Sequence, residues 1–179
     1  VLENPKLSAV FDKHRGGLVS LYSKQTKTDY AATPGPVLPV TATLPGQPMQ
    51  VLGTDKIAPQ PDGSVLAQSG LLAVGGGRLS ITDKWTVAPD TARITLDREI
   101  TPQGVVELSD FSPATLRLSP EVLSQVLPLG VGFSDENGPK RGWLETWYSE
   151  GWYFAFSGDP GRAGHAVALT VREQSKQPF

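Results

Sequence analysis

The sequence contains no cysteine and only two histidines, and its formal net charge is −2 at pH 7. The absence of cysteine excludes a disulfide framework, a thiolate metal site and a cysteine nucleophile. With so few histidines and no clustered "DxD" or "HxH", we do not expect a transition-metal site. Charges of both signs are interspersed without a basic stripe, so the sequence predicts neither a nucleic-acid partner nor a membrane partner.

Long apolar runs are also lacking. No stretch approaches the roughly 18 consecutive apolar residues that a membrane-spanning helix requires. The first segment, "VLENPKLSAVFD", lacks the basic and then apolar plan of a signal peptide, and its initial valine indicates a processed or trimmed terminus. A length of 179 residues predicts a single β-sandwich domain over residues 1–179, either complete or part of a larger polypeptide.

Turn-forming residues, by contrast, are abundant, with 19 glycines and 16 prolines. They separate short segments in which apolar and polar residues alternate, as is typical of β-strands. Residues 6–23 predict one hairpin, and "RLSITDKWTVA" with "ARITLDREIT" predicts another around "PDT". The proline-rich stretch 33–48 predicts an extended surface crossing, and 119–130 is the one segment with helical features. The fold class is therefore all-β, an antiparallel β-sandwich with at most one or two short helices.

The hairpin around "PDT" places opposite charges among apolar residues. Asp83 shares a face with Ile81 and Trp85, and Arg98 lies between Leu96 and Ile100 on the next strand. We expect the two charges to pair across the strands. A structural ion pair is the favoured interpretation, and a catalytic or sugar-binding pair is the alternative.

The first predicted hairpin, "LENPKLSAVFDKHRGGLVSLYSKQTKTDY", resembles a pattern of the large supersandwich, or galactose-mutarotase-like, β-domains of glycoside hydrolases and polysaccharide lyases. The matching residues are Asn4, Phe11, Asp12, Gly17, Leu21, Lys24 and Thr26, and "TKT" stands where the pattern has a Thr-Gly turn. The later "LSITDKWTVAPDTARITLDREIT" is similar to a long hairpin of the same domains.

The resemblance implies a carbohydrate-associated domain that gives sugar contacts or scaffold within a polysaccharide-degrading enzyme. Its partners would be a polysaccharide or oligosaccharide and the other domains of the same enzyme. The implied location is periplasmic or extracellular, and no cofactor is implied. A structural calcium ion in "SDENG" is weighed against a solvated loop, which we favour.

The aromatic stretch 141–156, "RGWLETWYSEGWYFAF", holds three of the chain's four tryptophans. On a strand, Trp143, Glu145 and Trp147 would share a face and could form a sugar-binding platform of flat rings around a hydrogen-bond acceptor. Core packing of the same face is favoured, and a helical turn is a third alternative. The candidate substrate-binding residues are Trp143, Trp147, Trp152, Tyr153 and Arg141.

A catalytic glycoside hydrolase or polysaccharide lyase domain is the alternative function. The candidate catalytic residues are Glu145, Glu150, Tyr148 and His165. Two carboxylates could act as the acid and base of a hydrolase, whereas a lyase would need a tyrosine or histidine base, for which His14 is a further nominee. A third interpretation is a protein-interaction domain that uses the aromatic face without binding sugar.

Overall fold

The computed structural model describes residues 1–31, 35–73, 76–115, 117 and 119, and the backbone of three later strands. The chain divides into two compact units, Val1–Ser119 and Pro120–Phe179. Regular structure in the described residues is entirely β-strand, and every strand pair is antiparallel. The predicted all-β, sandwich-like fold class is confirmed, whereas the single-domain prediction stays a prediction.

The described part of the first unit has three sheets. Its strands are β1 (Leu2–Glu3), β2 (Leu7–Asp12), β3 (Gly17–Ser23), β4 (Thr28–Asp29), β5 (Thr41–Thr43), β6 (Gln50–Val51), β7 (Lys56–Pro59), β8 (Val65–Leu72), β9 (Arg78–Val87), β10 (Ile94–Gln103) and β11 (Asp110–Ser112). The sheet orders are β1-β2-β3-β4, β11-β5-β6 and β10-β9-β8-β7. We call the last one the long sheet. Both predicted hairpins are present, as β2–β3 and β9–β10.

One face of the long sheet is buried under the two smaller sheets. Burial alternates along β9, as the sequence predicts. The Ile81 cluster, which joins β8 and β9 to the β5 region, consists of Val40, Ala42, Leu44, Leu52, Leu71, Ala73, Leu79 and Ile81. The Trp85 cluster, which joins the long sheet to the β1–β4 sheet, consists of Leu2, Ala9, Leu18, Ala31, Val37, Val65 and Trp85. The core of this unit is thus two apolar clusters along one sheet face.

The predicted surface crossing over 33–48 is wrong for residues 36–44, whereas residues 45–48 are exposed as predicted. Val37 and Val40 are only 1% and 3% exposed, and Thr41–Thr43 form the central strand β5 of its sheet. Prolines flank this strand at 39 and 45 and leave its own N–H groups available for pairing. The number of prolines therefore led to a wrong prediction for a segment whose middle part lies in the core.

The second unit has one described sheet, of which only the backbone is considered. Its strands are β12 (Gln125–Pro128), β13 (Trp152–Ser157) and β14 (Ala166–Val171), in the order β12-β13-β14. Apolar and polar residues alternate from Trp152 to Phe156 and within "HAVALTVREQ", as is typical of strands. β13 covers the first of these stretches, and β14 lies within the second. The helix predicted over 119–130 is wrong at β12, which pairs with β13. Pro128 is compatible with a strand because β12 lies at the edge of the described sheet.

The turn between β3 and β4 explains a departure from the supersandwich pattern. Lys27 has φ 56°, and it is the one non-glycine residue with positive φ in the described part of the chain. An L-residue in this left-handed region costs roughly 1–2 kcal/mol, a penalty that glycine avoids. Lys27 belongs to the "TKT" that replaces the Thr-Gly of the pattern, so the backbone conformation suits glycine although the residue differs.

The Ile81 cluster gives the first testable prediction. Ile81 is 1% exposed, so Ile81→Ala should lower the free energy of unfolding by about 2–5 kcal/mol, because it removes buried methyl groups and leaves a cavity. The matched control is Leu72→Ala on β8, where the side chain is 72% exposed and the expected change is within about 0.5 kcal/mol. Urea unfolding followed by tryptophan fluorescence measures both. Equal effects of the two substitutions would contradict the packing described.

Candidate functional site

Most of the site residues predicted from the sequence lie outside the described residues. They are Arg141, Trp143, Glu145, Trp147, Tyr148, Glu150 and His165, together with the "SDENG" loop. Trp152 and Tyr153 are the first residues of β13, where the backbone pairs them with Val171 and Thr170 of β14. His14 lies exposed in the turn between β2 and β3. The aromatic platform and the catalytic set therefore stay predictions.

Asn4, the first residue of the supersandwich pattern, joins two turns. Its side-chain amide donates hydrogen bonds to the carbonyls of Ala88 and Thr91, between β9 and β10, at 2.5 and 2.7 Å. Its Oδ1 accepts the N–H groups of Lys6 and Leu7 at 2.8 and 2.7 Å. Asn4 thus connects the start of β2 to the turn of the β9–β10 hairpin.

Other residues of the pattern also serve the fold. Lys24 makes an exposed ion pair with Glu3 at 2.9 Å, and the Phe11 ring packs edge-on against Trp85 with centroids 5.5 Å apart. Asp12 accepts the backbone N–H of His14 within the turn. These residues connect strands and turns, so the contacts of Asn4, Phe11, Asp12 and Lys24 stabilise the fold.

The predicted pairing of Asp83 with Arg98 is confirmed. The two residues stand opposite each other on β9 and β10, and the guanidinium Nε and Nη2 donate to the two carboxylate oxygens at 2.7 and 2.6 Å. The side chains of Arg98 and Asp83 are only 11% and 12% exposed. This two-pronged geometry is the strong form of the arginine–carboxylate bond.

Further contacts of Arg98 favour the structural interpretation of this pair. Its Nη1 donates to the carbonyl of Pro113 and its Nη2 to the carbonyl of Leu38 at 3.1 Å. The cavity beside this pair has a volume of about 20 Å³. That space holds about one water molecule and no sugar ring. Because most of the guanidinium N–H groups are already bonded, Arg98 has little left to offer a substrate.

The opposite face of the long sheet carries a groove of about 190 Å³, which we call the polar groove. The residues that line it are Asp55, Lys56, Gln68, Ser69, Arg78, Ser80, Ile81 and Thr82. The strand register sets Lys56, Gln68 and Thr82 in one row across β7, β8 and β9, with Gly70 and Ser80 in the next row. Neighbouring strands thus bring hydrogen-bonding side chains from three parts of the sequence to one surface.

Gly70 lets an arginine lie close to the floor of the polar groove. A Cβ atom at Gly70 would stand 3.4 Å from Nη2 and 3.5 Å from Nε of Arg78. The guanidinium therefore rests against the strand at the one position of β8 where no side chain keeps it away. Arg78 makes no side-chain hydrogen bond or ion pair with another residue in the described part of the chain. The N–H groups of its guanidinium therefore have no hydrogen-bond acceptor among the described residues.

Sequence reasoning missed the polar groove because it followed the apolar residues of each strand. The usable signal was the complementary set at alternate positions, Gln68 on β8 and Arg78, Ser80 and Thr82 on β9. Period-two alternation assigns such residues to the solvent face. Their meeting with Lys56 depends on the pairing of β7 with β8, which alternation alone does not supply.

Asp62 is the one described carboxyl group with a resolved pKa shift. A hydrogen bond from the Lys84 ammonium at 2.8 Å, and then bonds from the hydroxyl and N–H of Ser64, hold the pKa of Asp62 well below its usual 3.8. The same contact raises the pKa of Lys84. Shifted pKa values often mark functional sites. Here the turn before β8 accounts for the shift, and Asp62 does not line the polar groove.

No family model, curated protein or solved structure matches this chain. The resemblance to supersandwich domains therefore stays a prediction from the residues. Among the described residues, no three histidine, aspartate or glutamate side chains are grouped so that they could hold a metal ion. The same part of the chain contains no helix of the length and apolarity needed to cross a membrane.

The Asp83–Arg98 pair gives a second prediction. Arg98→Met leaves the Asp83 carboxylate buried without its partner, so the free energy of unfolding should fall by about 3–5 kcal/mol. The double variant Asp83→Leu with Arg98→Met removes both charges and should regain most of that loss. Urea unfolding of the wild type and the two variants provides the comparison. A double variant no more stable than Arg98→Met would contradict the assignment.

The third prediction concerns the titration of Asp62. Its folded-state pKa lies below the unfolded value near 3.8, so the ion pair stabilises the fold above that pH and loses its effect as the pH falls through the folded-state pKa. NMR titration should show the Asp62 carboxylate still ionised at pH 3.8. Lys84→Met should raise the pKa of Asp62, whereas Lys56→Met, on β7, should leave it unchanged. If the pKa of Asp62 is the same in Lys84→Met as in the wild type, Lys84 is not the cause of the shift.

Proposed function

We propose that this chain is a carbohydrate-associated β-sandwich domain that gives sugar contacts or scaffold within a polysaccharide-degrading enzyme. The polar groove is the observation that carries the proposal. It offers the amide of Gln68, the hydroxyls of Ser80 and Thr82 and the cations of Lys56 and Arg78 on one surface. Such a mixture of donors and acceptors complements the hydroxyl groups of a sugar.

The position of the polar groove on strands supports a binding role. Its floor belongs to the β8–β9 ladder, where eight residue pairs are in register from Val65 opposite Trp85 to Leu72 opposite Arg78. The other side of that ladder is fixed by the Ile81 and Trp85 clusters. Side chains on regular strands keep their relative positions better than those on loops. The groove is therefore prepared for a ligand without a large rearrangement.

The expected affinity is modest. Each net hydrogen bond on an accessible surface contributes about 0.5–1.5 kcal/mol. Three or four such bonds give a dissociation constant of about 1 mM. A domain of this strength suits contact with a repetitive polymer alongside the other domains of a periplasmic or extracellular enzyme, because neighbouring contacts raise the effective concentration.

The fourth prediction tests this function by isothermal titration calorimetry with a panel of neutral and acidic oligosaccharides. At least one should bind, and Gln68→Ala and Thr82→Ala should each weaken that binding by about three- to tenfold, since each removes a hydrogen bond. Thr95→Ala is the matched control, because Thr95 stands opposite Thr86 on β9, outside the polar groove. Its affinity should equal that of the wild type.

Two outcomes would count against the proposal. If no glycan in the panel binds, the carbohydrate-associated function fails. If the chain releases product from the same glycans, a catalytic domain replaces a contact or scaffold domain as the better description.

A further inference from the structure

β10 forms one edge of the long sheet. Its whole length pairs with β9, from Ile94 opposite Val87 to Gln103 opposite Arg78. No strand in the described residues pairs with its other side. A long, regular edge exposes backbone N–H and C=O groups that can pair with the same strand of a second copy. The opposite edge, β7, is shorter and ends at Pro59, so β10 is the edge more open to such pairing.

Two carboxylates stand near the middle of this edge. Asp97 and Glu99 are exposed on the outer face of β10, in successive same-face positions about 7 Å apart. Lys84 stands opposite Asp97 on β9, but its ammonium donates to Asp62 at 2.8 Å. Glu99 stands opposite Thr82, which carries no charge. Within the part of the chain that the structure describes, neither carboxylate forms an ion pair, so both charges remain on the edge.

We propose that Asp97 and Glu99 prevent β10 from pairing with the β10 strand of a second copy of this chain. The inference does not depend on glycan binding, so it goes beyond the proposed function. Charged side chains are a common protection of edge strands, because an unprotected edge promotes association. Pro102 contributes as well, because it lies in the same strand and has no N–H to donate.

Strand geometry limits the ways in which two copies of β10 can pair. Two copies related by a two-fold axis would bring the strands together antiparallel, in one continuous sheet. The buried inner faces of both copies must then lie on the same side, so outer-face residues must stand opposite outer-face residues. Alignment of the whole strand breaks this rule, because it sets Ile94 of the inner face opposite Gln103 of the outer face. The strands therefore have to be offset.

The two longest offset registers bring the carboxylates of the two copies together. Alignment of residues 94–102 places Asp97 of each copy opposite Glu99 of the other. Alignment of residues 95–103 places Glu99 opposite Glu99. Like charges directly opposite each other destabilise a strand pair. Arg98 does not offset this effect, since it lies on the inner face and its charge is already paired there.

The fifth prediction tests this inference by sedimentation velocity of the full chain over a range of concentrations. Asp97→Asn with Glu99→Gln removes both charges at nearly unchanged size, so this neutral variant should dimerise at least about tenfold more tightly than the wild type. The matched control is Asp90→Asn with Glu107→Gln, which removes two exposed carboxylates outside β10 and changes the net charge equally. Its association should equal that of the wild type.

Charge reversal tests the register itself. Asp97→Lys alone places an ammonium opposite Glu99 of the second copy when residues 94–102 are aligned. This variant should dimerise more tightly than the neutral variant at low salt, and added salt should weaken the dimer. Asp97→Lys with Glu99→Lys restores like charges at the same positions, so it should associate as weakly as the wild type. Urea unfolding confirms that each variant is folded.

Hydrogen exchange locates the contact in any dimer that forms. The amides of β10 should exchange more slowly in the dimer than in the monomer, because edge N–H groups gain acceptors. Unchanged exchange in β10 would place the contact on another surface and overturn the inference.

Three outcomes of the sedimentation experiment would also overturn it. Equal association of the wild type and the neutral variant would show that the carboxylates do not protect the edge. Stronger association of the control variant, to the same extent as the neutral variant, would assign the effect to net charge. Failure of Asp97→Lys to dimerise would exclude the proposed register. None of these results involves a glycan, so the proposed function is tested separately.

Discussion

The bond between Asp83 and Arg98 is the interaction on which the first unit depends. Asp83 stands between Ile81 and Trp85 on β9, so the pair lies at the boundary of the two apolar clusters that cover the long sheet. Two charges in such a place would be costly without full pairing. The two-pronged contact and two main-chain carbonyls provide that pairing. One of these carbonyls, from Leu38, connects the sheet to the proline-rich segment beside it.

The two faces of the long sheet differ in how their charged residues are paired. On the inner face Asp83 and Arg98 pair with each other beside a cavity of about 20 Å³. The outer face keeps Lys56 and Arg78 without an ion-pair partner among the described residues, around a groove of about 190 Å³. An arginine thus has opposite uses on adjacent strands: Arg98 is committed to the fold, whereas Arg78 is available. The stability of the unit thus depends on Arg98, and the ligand contact that we propose involves other side chains.

Features that depend on the alternation of residues within a strand were predicted from the sequence. Features that depend on which strands pair side by side were not. The cross-strand meeting of Asp83 and Arg98 follows from a short turn and a period of two, so the residues alone were enough. The strand at Thr41–Thr43 was hidden by the prolines around it, and β12 by a helix-like pattern before Pro128. The polar groove was missed for a different reason, because its residues become neighbours only through the lateral pairing of β7, β8 and β9.

The central claim is that the outer face of the long sheet, and not another surface, meets the ligand. Chemical-shift mapping of the backbone amides during addition of the oligosaccharide that binds most tightly in calorimetry tests it most directly. The account predicts that the largest saturable changes fall at Gln68, Arg78, Ser80 and Thr82, while the amides of β2 and β3 stay unchanged. Largest changes in β2 and β3, or no saturable change in the polar groove, would contradict it.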